Sequence, residues 1–356
     1  TLFLELTCIR WFPSHVLFLT FFTNTVLLAA ILGISVGCLA AHRKTNLLRW
    51  TPLILMIGLA SAHFVEWQRQ ASASVIDVGN QASPQMVFFG VEYQARDLAS
   101  FVIPIEVICG YFFLVIALAM MGPGQELGRA LVRLPNRLEA YTIDILGSIA
   151  GIVVFAACSF LELPPIWWFA LVLAGFLYFL RPLQWATTVR VVVPAAAVLL
   201  MSSGAWFAGF LEYWSPYYRV TYVRDEGLIN VNLIGHQQMQ PRNAPFPAYA
   251  LPHLLNRDAG SIPFRDVLVI GAGSGNDVSR ALAWGAEHVD AVEIDPVIQR
   301  IGKQDHPDRP YDDPRVAVHL NDGRNFLKGG DRQYDLIIYA LVDSLVLHSS
   351  YSNIRL

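Results

Sequence analysis

The sequence predicts an α-helical transmembrane bundle followed by a doubly wound α/β domain with a small β element at its start. Three observations predict this organisation. The first 214 residues hold 22 Asp, Glu, Lys and Arg residues, whereas the remaining 142 hold 31. Hydrophobic residues make up 54% of the chain, and the mean hydropathy is +0.44. Short β-rich runs replace the long apolar runs from Ser215 onward. These features exclude a wholly soluble or disordered chain.

The expected domains are a transmembrane helical domain over 1–211, a β-rich linker or N-terminal element over 212–263 and an α/β domain over 264–356. The net charge of −3 leaves no basic surplus for a phosphate backbone, so we expect no nucleic-acid partner. The four cysteines occur singly in apolar segments, which predicts neither a metal site nor a disulfide framework.

Six apolar runs are candidates to cross the roughly 30 Å hydrocarbon core of a bilayer. They cover about 15–41, 51–66, 98–121, 141–160, 165–180 and 189–211. The second and fifth runs are marginal in length. Glycines at helical spacing, Gly33 with Gly37 and Gly147 with Gly151, predict faces where helix backbones approach closely.

The basic residues of the loops predict an orientation in the membrane. Eight of them fall in the alternate loops 42–50, 122–140 and 181–190, which should therefore be cytoplasmic. If all six runs cross, the C-terminal part emerges on the opposite side. Because adenosyl donors are made in the cytoplasm, we expect that part to be cytoplasmic, with one marginal run, 51–66 or 165–180, failing to cross.

The C-terminal part alternates between strands and helices after an expected strand pair and a short helix. The pair covers Tyr217–Val223 and Leu228–Ile234, and the helix lies near Ala248–Leu255. The alternating series, typical of a parallel sheet covered on both faces, is Val267–Ile270, Asp277–Trp284, Val289–Ile294, Val297–Gln304, Val316–Leu320, Asn325–Leu327 and Leu336–Tyr339.

The candidate binding residues follow three strands of this series, where open α/β sheets bind ligands. Gly271, Gly273 and Gly275 follow the first strand, and glycines there let a backbone approach a ligand at a helix N-terminus. The second strand ends in Glu293-Ile-Asp295, where a carboxylate can accept both ribose hydroxyls. Asp322-Gly323 follows the third strand and is placed to receive an adenine amino group. Together these residues predict a nucleoside site.

The spacing of the glycines favours an S-adenosylmethionine-type nucleoside over NAD. The dinucleotide fingerprint has glycines at its first, third and sixth positions. The sixth position here is Asn276, and the fifth is Gly275. We therefore expect S-adenosylmethionine, its decarboxylated form or methylthioadenosine to bind better than NAD.

Several motifs resemble the spermidine/spermine synthase family, which has a class I methyltransferase-type fold. They are SPYYRV from Ser215, GAGSGND, VEIDPVI, NDGRNFL and YDLIIYALVDS. LAAHRK and YTIDILGSIAG resemble the multi-span segment fused to some bacterial members. A sheet of this type has about seven strands, of which four precede Leu356, so we expect the chain to be a fragment with an incomplete sheet.

The resemblance implies a role for each matching residue. Gly271, Gly273 and Gly275 would form the nucleoside loop, while Glu293 would bind the ribose and Asp322 the adenine. An aspartate after the fourth strand, here Asp343, would deprotonate or orient the attacking amine. The chemistry requires a neutral amine held in line with the activated carbon, which a neighbouring carboxylate can provide.

The sequence also departs from that family on the acceptor side. Ala340 stands where a polyamine synthase has a further aspartate, and Ser274 stands in the acidic position of the glycine loop. The stretch YALPHLL from Tyr249 lacks the acid that holds the far ammonium of a diamine. We therefore expect an altered acceptor, either a less charged amine or a lipophilic molecule.

Two functions remain open from the sequence. The first is a membrane-bound transferase that moves an aminopropyl or methyl group from S-adenosylmethionine or its decarboxylated form. The second is a membrane transporter or sensor whose α/β domain binds a nucleoside without turnover. Ala340 favours the second, and Asp343 favours the first. The expected partners are a small acceptor and the lipid bilayer, and a homo-oligomer is left open.

Overall fold

The computed structural model describes residues 1–17, 19, 23–70, 105–180, 185–204, 209–244, 247–330 and 332–340. The chain divides into two compact units. The first consists mainly of Thr1–Ala208, and the second of Gly209–Val231 with Gly235–Ser344.

The first unit is helical throughout its described part. Three helical segments are long and apolar enough to cross a membrane, judged by length and composition: Leu47–Gln68, Val107–Arg133 and Arg137–Phe160. Shorter apolar helices cover Asn24–Leu39, Pro165–Phe179 and Val189–Met201. The helices are α1 Leu2–Trp11, α2 Thr23–Leu39, α3 Thr51–Gln70, α4 Ile105–Arg133, α5 Arg137–Phe160, α6 Pro165–Phe179 and α7 Trp185–Met201.

The structure corrects several of the expected span boundaries. Turns cover Phe12–His15 at the start of the run 15–41, and the helix given within that run is Thr23–Leu39. The run 98–121 continues as a helix to Arg133, into the expected loop 122–140. The run 51–66 continues to Gln70 and is one of the longer helices, so it is no longer the marginal one. The run 189–211 ends as a helix at Met201, and Leu211 already begins a strand. The other marginal run, 165–180, remains short in the structure, where the helix covers Pro165–Phe179.

Helices α2 and α4 pack through glycines, as the sequence predicts for Gly33 and Gly37. A Cβ atom at Gly33 would overlap the carbonyl oxygen of Ala117, and one at Gly37 would overlap that of Met121. Gly147 does not have this role, because no described atom lies within 4 Å of the position its Cβ would take. Gly151, the other predicted glycine of this pair, is in ordinary contact with α1, since its Cβ would lie 3.4 Å from the Phe3 backbone nitrogen.

The second unit begins with a four-stranded sheet of order β1-β2-β3-β4. Its strands are β1 Leu211–Trp214, β2 Arg219–Val223, β3 Leu228–Val231 and β4 Ile234–Gln238. The antiparallel pairing of β2 with β3 confirms the expected strand pair, although β1 was missed. The turn between β2 and β3 closes on Gly227, whose φ of +61° is one that glycine adopts without strain.

A parallel sheet of order β7-β6-β5-β8 completes the second unit. Its strands are β5 Asp266–Ile270, β6 His288–Glu293, β7 Val316–Leu320 and β8 Leu336–Tyr339. The α-helices of this unit are α8 Pro247–Asp258, α9 Asn276–Ala283, α10 Pro296–Asp305 and α11 Gly323–Gly329. All four expected strands are confirmed. Buried valines of β5 and β6 pack against α9 on one face, and Phe326 of α11 packs on the other. The sheet therefore brings the ends of β5, β6 and β7 to one edge.

Candidate functional site

The loop between β5 and α9 bends through three glycines in the left-handed region. Gly271, Gly273 and Gly275 have φ values of +77°, +56° and +105°. L side chains rarely adopt such angles, so glycine is needed at each of these bends. Gly275 is the N-cap residue of α9, and the loop therefore delivers backbone N–H groups at a helix N-terminus.

Glu293, the last residue of β6, holds this loop in place. One carboxylate oxygen accepts a hydrogen bond of 2.7 Å from the Gly273 N–H, and the other accepts one of 2.8 Å from the Asp295 N–H. The residue is only 6% exposed, and burial raises the pKa of its carboxyl against the opposing effect of these hydrogen bonds. Each carboxylate oxygen has a further lone pair, so the group can still accept hydroxyl donors.

The two predicted aspartates both cap helices. Asp295 is fully buried, and its carboxylate accepts hydrogen bonds from the N–H groups of Val297 and Ile298 at the start of α10. Asp322 is exposed, and its carboxylate accepts a 2.9 Å bond from the Asn325 N–H at the start of α11. Of the two, only Asp322 presents its side chain to solvent at the sheet edge.

Gly323 allows α11 to begin directly against the end of β5. A Cβ atom at this position would overlap the Cγ2 methyl of Ile270. Because Ile270 is a buried, β-branched residue of the central strand, it has little freedom to move aside. Gly323 therefore allows the close packing of α11 on β5 that positions Asp322.

Tyr217 is a site residue that the sequence reasoning did not assign. It lies between β1 and β2 in a turn held by the Ser215 hydroxyl, which accepts a hydrogen bond of 3.1 Å from the Tyr217 N–H. Burial raises the pKa of the Tyr217 hydroxyl, and the negative charges of Asp295, Asp322 and Glu293 raise it further. The phenol therefore stays protonated, within electrostatic range of the three strand-end carboxylates. The signal that could have found it was the SPYY motif.

Asn276 fixes the loop to β4 and α8. Its amide nitrogen donates to the Gln238 carbonyl at 2.8 Å and to the Tyr249 hydroxyl at 3.1 Å, and its oxygen accepts from the Gln240 N–H at 2.9 Å. Gln237 adds a bond of 2.9 Å from the Ser274 N–H. The sixth loop position is therefore occupied by a structural amide, where a dinucleotide fingerprint has glycine.

Residues of α10 and of the segment that follows it also support the loop. The Tyr311 hydroxyl donates a 2.7 Å hydrogen bond to the Gly273 carbonyl. Gly302 of α10 lies so close that a Cβ there would be 2.5 Å from the Ser274 Cα. His306 is buried, contacts the Asn276 amide oxygen at 3.1 Å and accepts from the Asp308 N–H at 3.1 Å. Burial lowers the pKa of its imidazole to about 4.

The part of the segment after β8 that the structure describes is Ala340. Ala340 follows β8 and packs against the apolar core cluster of β5 and β6. Asp343, the expected catalytic residue, lies outside the described residues. Asp277, which the sequence reasoning passed over, is 8% exposed, and burial raises the pKa of its carboxyl to about 6. No group of three metal-ligating side chains occurs among the described residues.

Comparison with protein families identifies the class of this C-terminal region. Residues 256–353 match the spermine/spermidine synthase domain. The chain therefore carries a spermidine-synthase-like α/β domain in its C-terminal region.

Two curated relatives illustrate the extent of the similarity. A polyamine aminopropyltransferase of Lachnoclostridium phytofermentans is 37% identical over 82 residues, which is 22% of this chain and 29% of that protein. A spermidine synthase of Coffea arabica is 42% identical over 85 residues, 22% of this chain and 26% of that protein. The chain thus spans less than a third of the length of these relatives. The spermidine synthase structure of Thermotoga maritima aligns with 38% of this chain and 45% of its own, at 19% identity and a TM-score of 0.29.

Proposed function

We propose that this protein is a membrane-bound transferase that moves an aminopropyl group from decarboxylated S-adenosylmethionine to an amine acceptor. The observation that carries the proposal is the position of Glu293, buried at the end of β6 with its carboxylate against the glycine loop. The match of residues 256–353 to the spermine/spermidine synthase domain supports the same reaction class.

The donor would lie across the ends of β5, β6 and β7. The second lone pairs of the Glu293 carboxylate are suited to the two ribose hydroxyls, and the exposed Asp322 carboxylate is suited to an adenine amino group. The loop glycines permit close approach of the nucleoside. Tyr217, within electrostatic range of the three carboxylates, offers a phenol that can donate a hydrogen bond to the ligand.

Transfer would proceed by displacement at carbon. The lone pair of a neutral acceptor amine forms a bond to the CH₂ next to the sulfonium, and the C–S bond breaks with its electron pair passing to sulfur. The products are methylthioadenosine and a protonated secondary amine. We assign Asp343 the role of orienting the amine and accepting its proton, as the family resemblance implies.

The acceptor would be less charged than a diamine dication. The side chain of Ala340 is a methyl group, at the position where the spermidine/spermine synthase family has an aspartate. Leu251, in the stretch that follows Tyr249, has an apolar side chain and is 53% exposed. A second ammonium would therefore lack much of its counter-charge. A mono-amine with an apolar remainder fits these residues better.

The helical unit would place this reaction at a membrane. Its helix α5 exposes a long series of apolar side chains, which is the surface expected to face lipid: Leu138, Ile145, Leu146, Ile149, Val153 and Phe160. We place the α/β domain in the cytoplasm, where adenosyl donors are made.

A labelled donor tests the proposal. The full-length protein, purified in detergent, is incubated with decarboxylated S-adenosylmethionine carrying a labelled aminopropyl group and with a panel of mono- and diamines. Formation of methylthioadenosine with transfer of label to an amine is expected, with mono-amines preferred. Label retained in the donor under all conditions would contradict the proposal.

A second candidate is a sensor whose α/β domain binds the nucleoside without turnover. The observation in its favour is Ala340, which removes one of the acceptor-side carboxylates. Tight donor binding without product would support this alternative. A parallel incubation with S-adenosylmethionine labelled in its methyl group would test the remaining possibility, since transfer of that label would indicate a methyltransferase.

A further inference from the structure

A cavity in the helical unit combines cationic and apolar walls. It has a volume of about 650 Å³ and lies between the start of α3 and the start of α7. Three cationic side chains line it, Lys44, Arg49 and Arg190, and no acidic residue does so among the residues the structure describes. All three are exposed. The cavity is therefore a site of unbalanced positive charge.

The apolar part of the cavity descends along two helices. Trp50, Leu53 and Met56 are spaced three residues apart and so share one side of the α3 wall, while Val189 and Val193 are four apart on α7. From Trp50 to Met56 the wall extends roughly 9 Å at 1.5 Å per residue. Trp50 is 50% exposed at the level of the cations, as tryptophan often is at a membrane interface.

The segment that carries Lys44 is held firmly by α4. The fully buried Gln125 accepts a 2.8 Å hydrogen bond from the Leu47 N–H and donates one of the same length to the Thr45 carbonyl. The Arg129 guanidinium donates to the carbonyls of Arg43 at 2.7 Å and Thr45 at 3.1 Å. The backbone that carries Lys44 is thus positioned before any ligand binds, which lowers the entropic cost of binding.

We propose that this cavity binds an anionic phospholipid. The phosphate and its negative charge would lie among Lys44, Arg49 and Arg190, and the first part of an acyl chain would lie along the walls of α3 and α7. A free phosphate would satisfy the cations but leave the apolar walls uncovered, and a zwitterionic lipid would supply no net charge. Basic recesses between membrane helices are suited to such headgroups.

This inference rests on the proposed membrane location, and the two can fail separately. Alkaline extraction of membranes from cells that express the full chain tests the location by itself. The lipid site is tested on the purified full chain in detergent after removal of bound lipid. A protein that stays in the membrane fraction yet shows no lipid preference would overturn the lipid site alone.

Native mass spectrometry with defined lipids tests the site. Dioleoyl phosphatidylglycerol should bind at least about tenfold more tightly than dioleoyl phosphatidylcholine, since each basic residue near a lipid headgroup contributes severalfold in affinity. The triple variant Lys44→Gln, Arg49→Gln, Arg190→Gln should lose that preference. Arg137→Gln, which removes an exposed charge at the start of α5 outside the cavity, should keep it within twofold.

A charge-conserving triple variant controls for misfolding of the glutamine variant. Lys44→Arg, Arg49→Lys, Arg190→Lys should keep the preference, because it retains all three charges. Loss of the preference in this variant as well, or its survival in the glutamine variant, would overturn the proposal. So would displacement of phosphatidylglycerol by millimolar inorganic phosphate, which would indicate a site for free phosphate.

Discussion

The C-terminal ends of two neighbouring parallel strands, β5 and β8, are followed by different kinds of residue. The loop after β5 is held on every side by Glu293, Asn276, Gln237 and Tyr311, all through hydrogen bonds of 2.7 to 3.1 Å. The segment after β8 begins with Ala340, which packs into the apolar core. In the proposed function the loop after β5 belongs to the donor site and the segment after β8 to the acceptor site. Substitutions at the two strand ends can therefore separate donor binding from turnover.

The largest expected effect is on catalysis at the β8 end. Replacing Asp343 by Asn removes the proposed proton acceptor but keeps the size of the side chain. We expect kcat to fall by about 10²- to 10³-fold, the usual contribution of a general base. Donor affinity should change less than about threefold, since the donor residues belong to the other end. Single-turnover kinetics and calorimetry with methylthioadenosine measure the two quantities.

The matched control for this prediction is Ser344→Ala, next along the chain. It should leave both quantities near those of the parent protein. A collapse of donor binding in Asp343→Asn would mean that the two ends are not separable, and unchanged turnover would remove Asp343 from the mechanism.

The next effect is on donor binding at the β5 end. Glu293→Gln keeps the shape of the side chain but replaces a carboxylate oxygen with an NH₂ group, which cannot accept a hydrogen bond. We expect methylthioadenosine affinity to fall by about 10- to 100-fold, the cost of one or two charged hydrogen bonds. Isothermal calorimetry on the full chain, with a melting curve as a control for folding, measures this.

NAD provides the comparison ligand for the same variant. The parent protein should bind methylthioadenosine better than NAD, because Asn276 occupies the sixth loop position and is committed to four hydrogen-bond partners. Tighter NAD binding, or no loss in Glu293→Gln, would contradict the assignment of a nucleoside site.

Much of the α/β unit could be predicted from the sequence because its signals are local. Four short apolar strands, three of which end next to glycines or carboxylates, are enough to place Gly273, Glu293 and Asp322 at one edge. The helix-capping role of Asp295 has a local signal too, since proline follows it at the first helical position.

The rest depended on contacts between residues distant in sequence. Nothing near Tyr217 in the chain indicates that it will lie within electrostatic range of carboxylates that follow it by 76 residues or more. The support of Asn276 by His306, 30 residues later, is likewise set only by the packing of α10. In the helical unit, apolar composition located the helices but not their ends, because Met201 and Leu211 are both apolar although one ends a helix and the other begins a strand.

A bulkier residue in α10 should weaken the support of the loop between β5 and α9. Gly302→Ala places a methyl group 2.5 Å from the Ser274 Cα, where backbone and not a flexible side chain must move. We expect the α/β unit to lose about 1–3 kcal/mol of stability, as in other overpacked sites. The melting temperature of the full chain and its affinity for methylthioadenosine should both fall.

The control for this variant is Gly329→Ala, at the end of α11. No described atom lies within 4 Å of the position its Cβ would take, so the substitution should be nearly neutral. Equal melting temperatures for the two variants would show that the loop is less tightly held than its contacts indicate.

The smallest expected effect is a pH dependence carried by His306. Burial lowers the pKa of its imidazole from 6.5 to about 4 in the folded protein, with Asp308 raising it and Arg242 lowering it to smaller extents. The unfolded chain therefore takes up this proton first. Stability should fall as the pH drops from about 6.5 toward 4, by about 1–2 kcal/mol after allowance for solvent screening. Protonation also costs the bond that the imidazole accepts from the Asp308 N–H.

The quantity to compare is the change in melting temperature with pH, measured in the parent protein and in His306→Gln. Asp277 titrates in the opposite sense, because its pKa of about 6 is raised by burial and its contribution is lost as the pH rises. The absolute pH profile is therefore a sum of both groups, whereas the difference between the two proteins isolates the imidazole. Melting temperatures at pH 7.5 and pH 5 should diverge by a few degrees less in His306→Gln than in the parent. Parallel profiles would mean that His306 does not support the loop in its neutral form, and the loop would then be held by Glu293, Asn276, Gln237 and Tyr311.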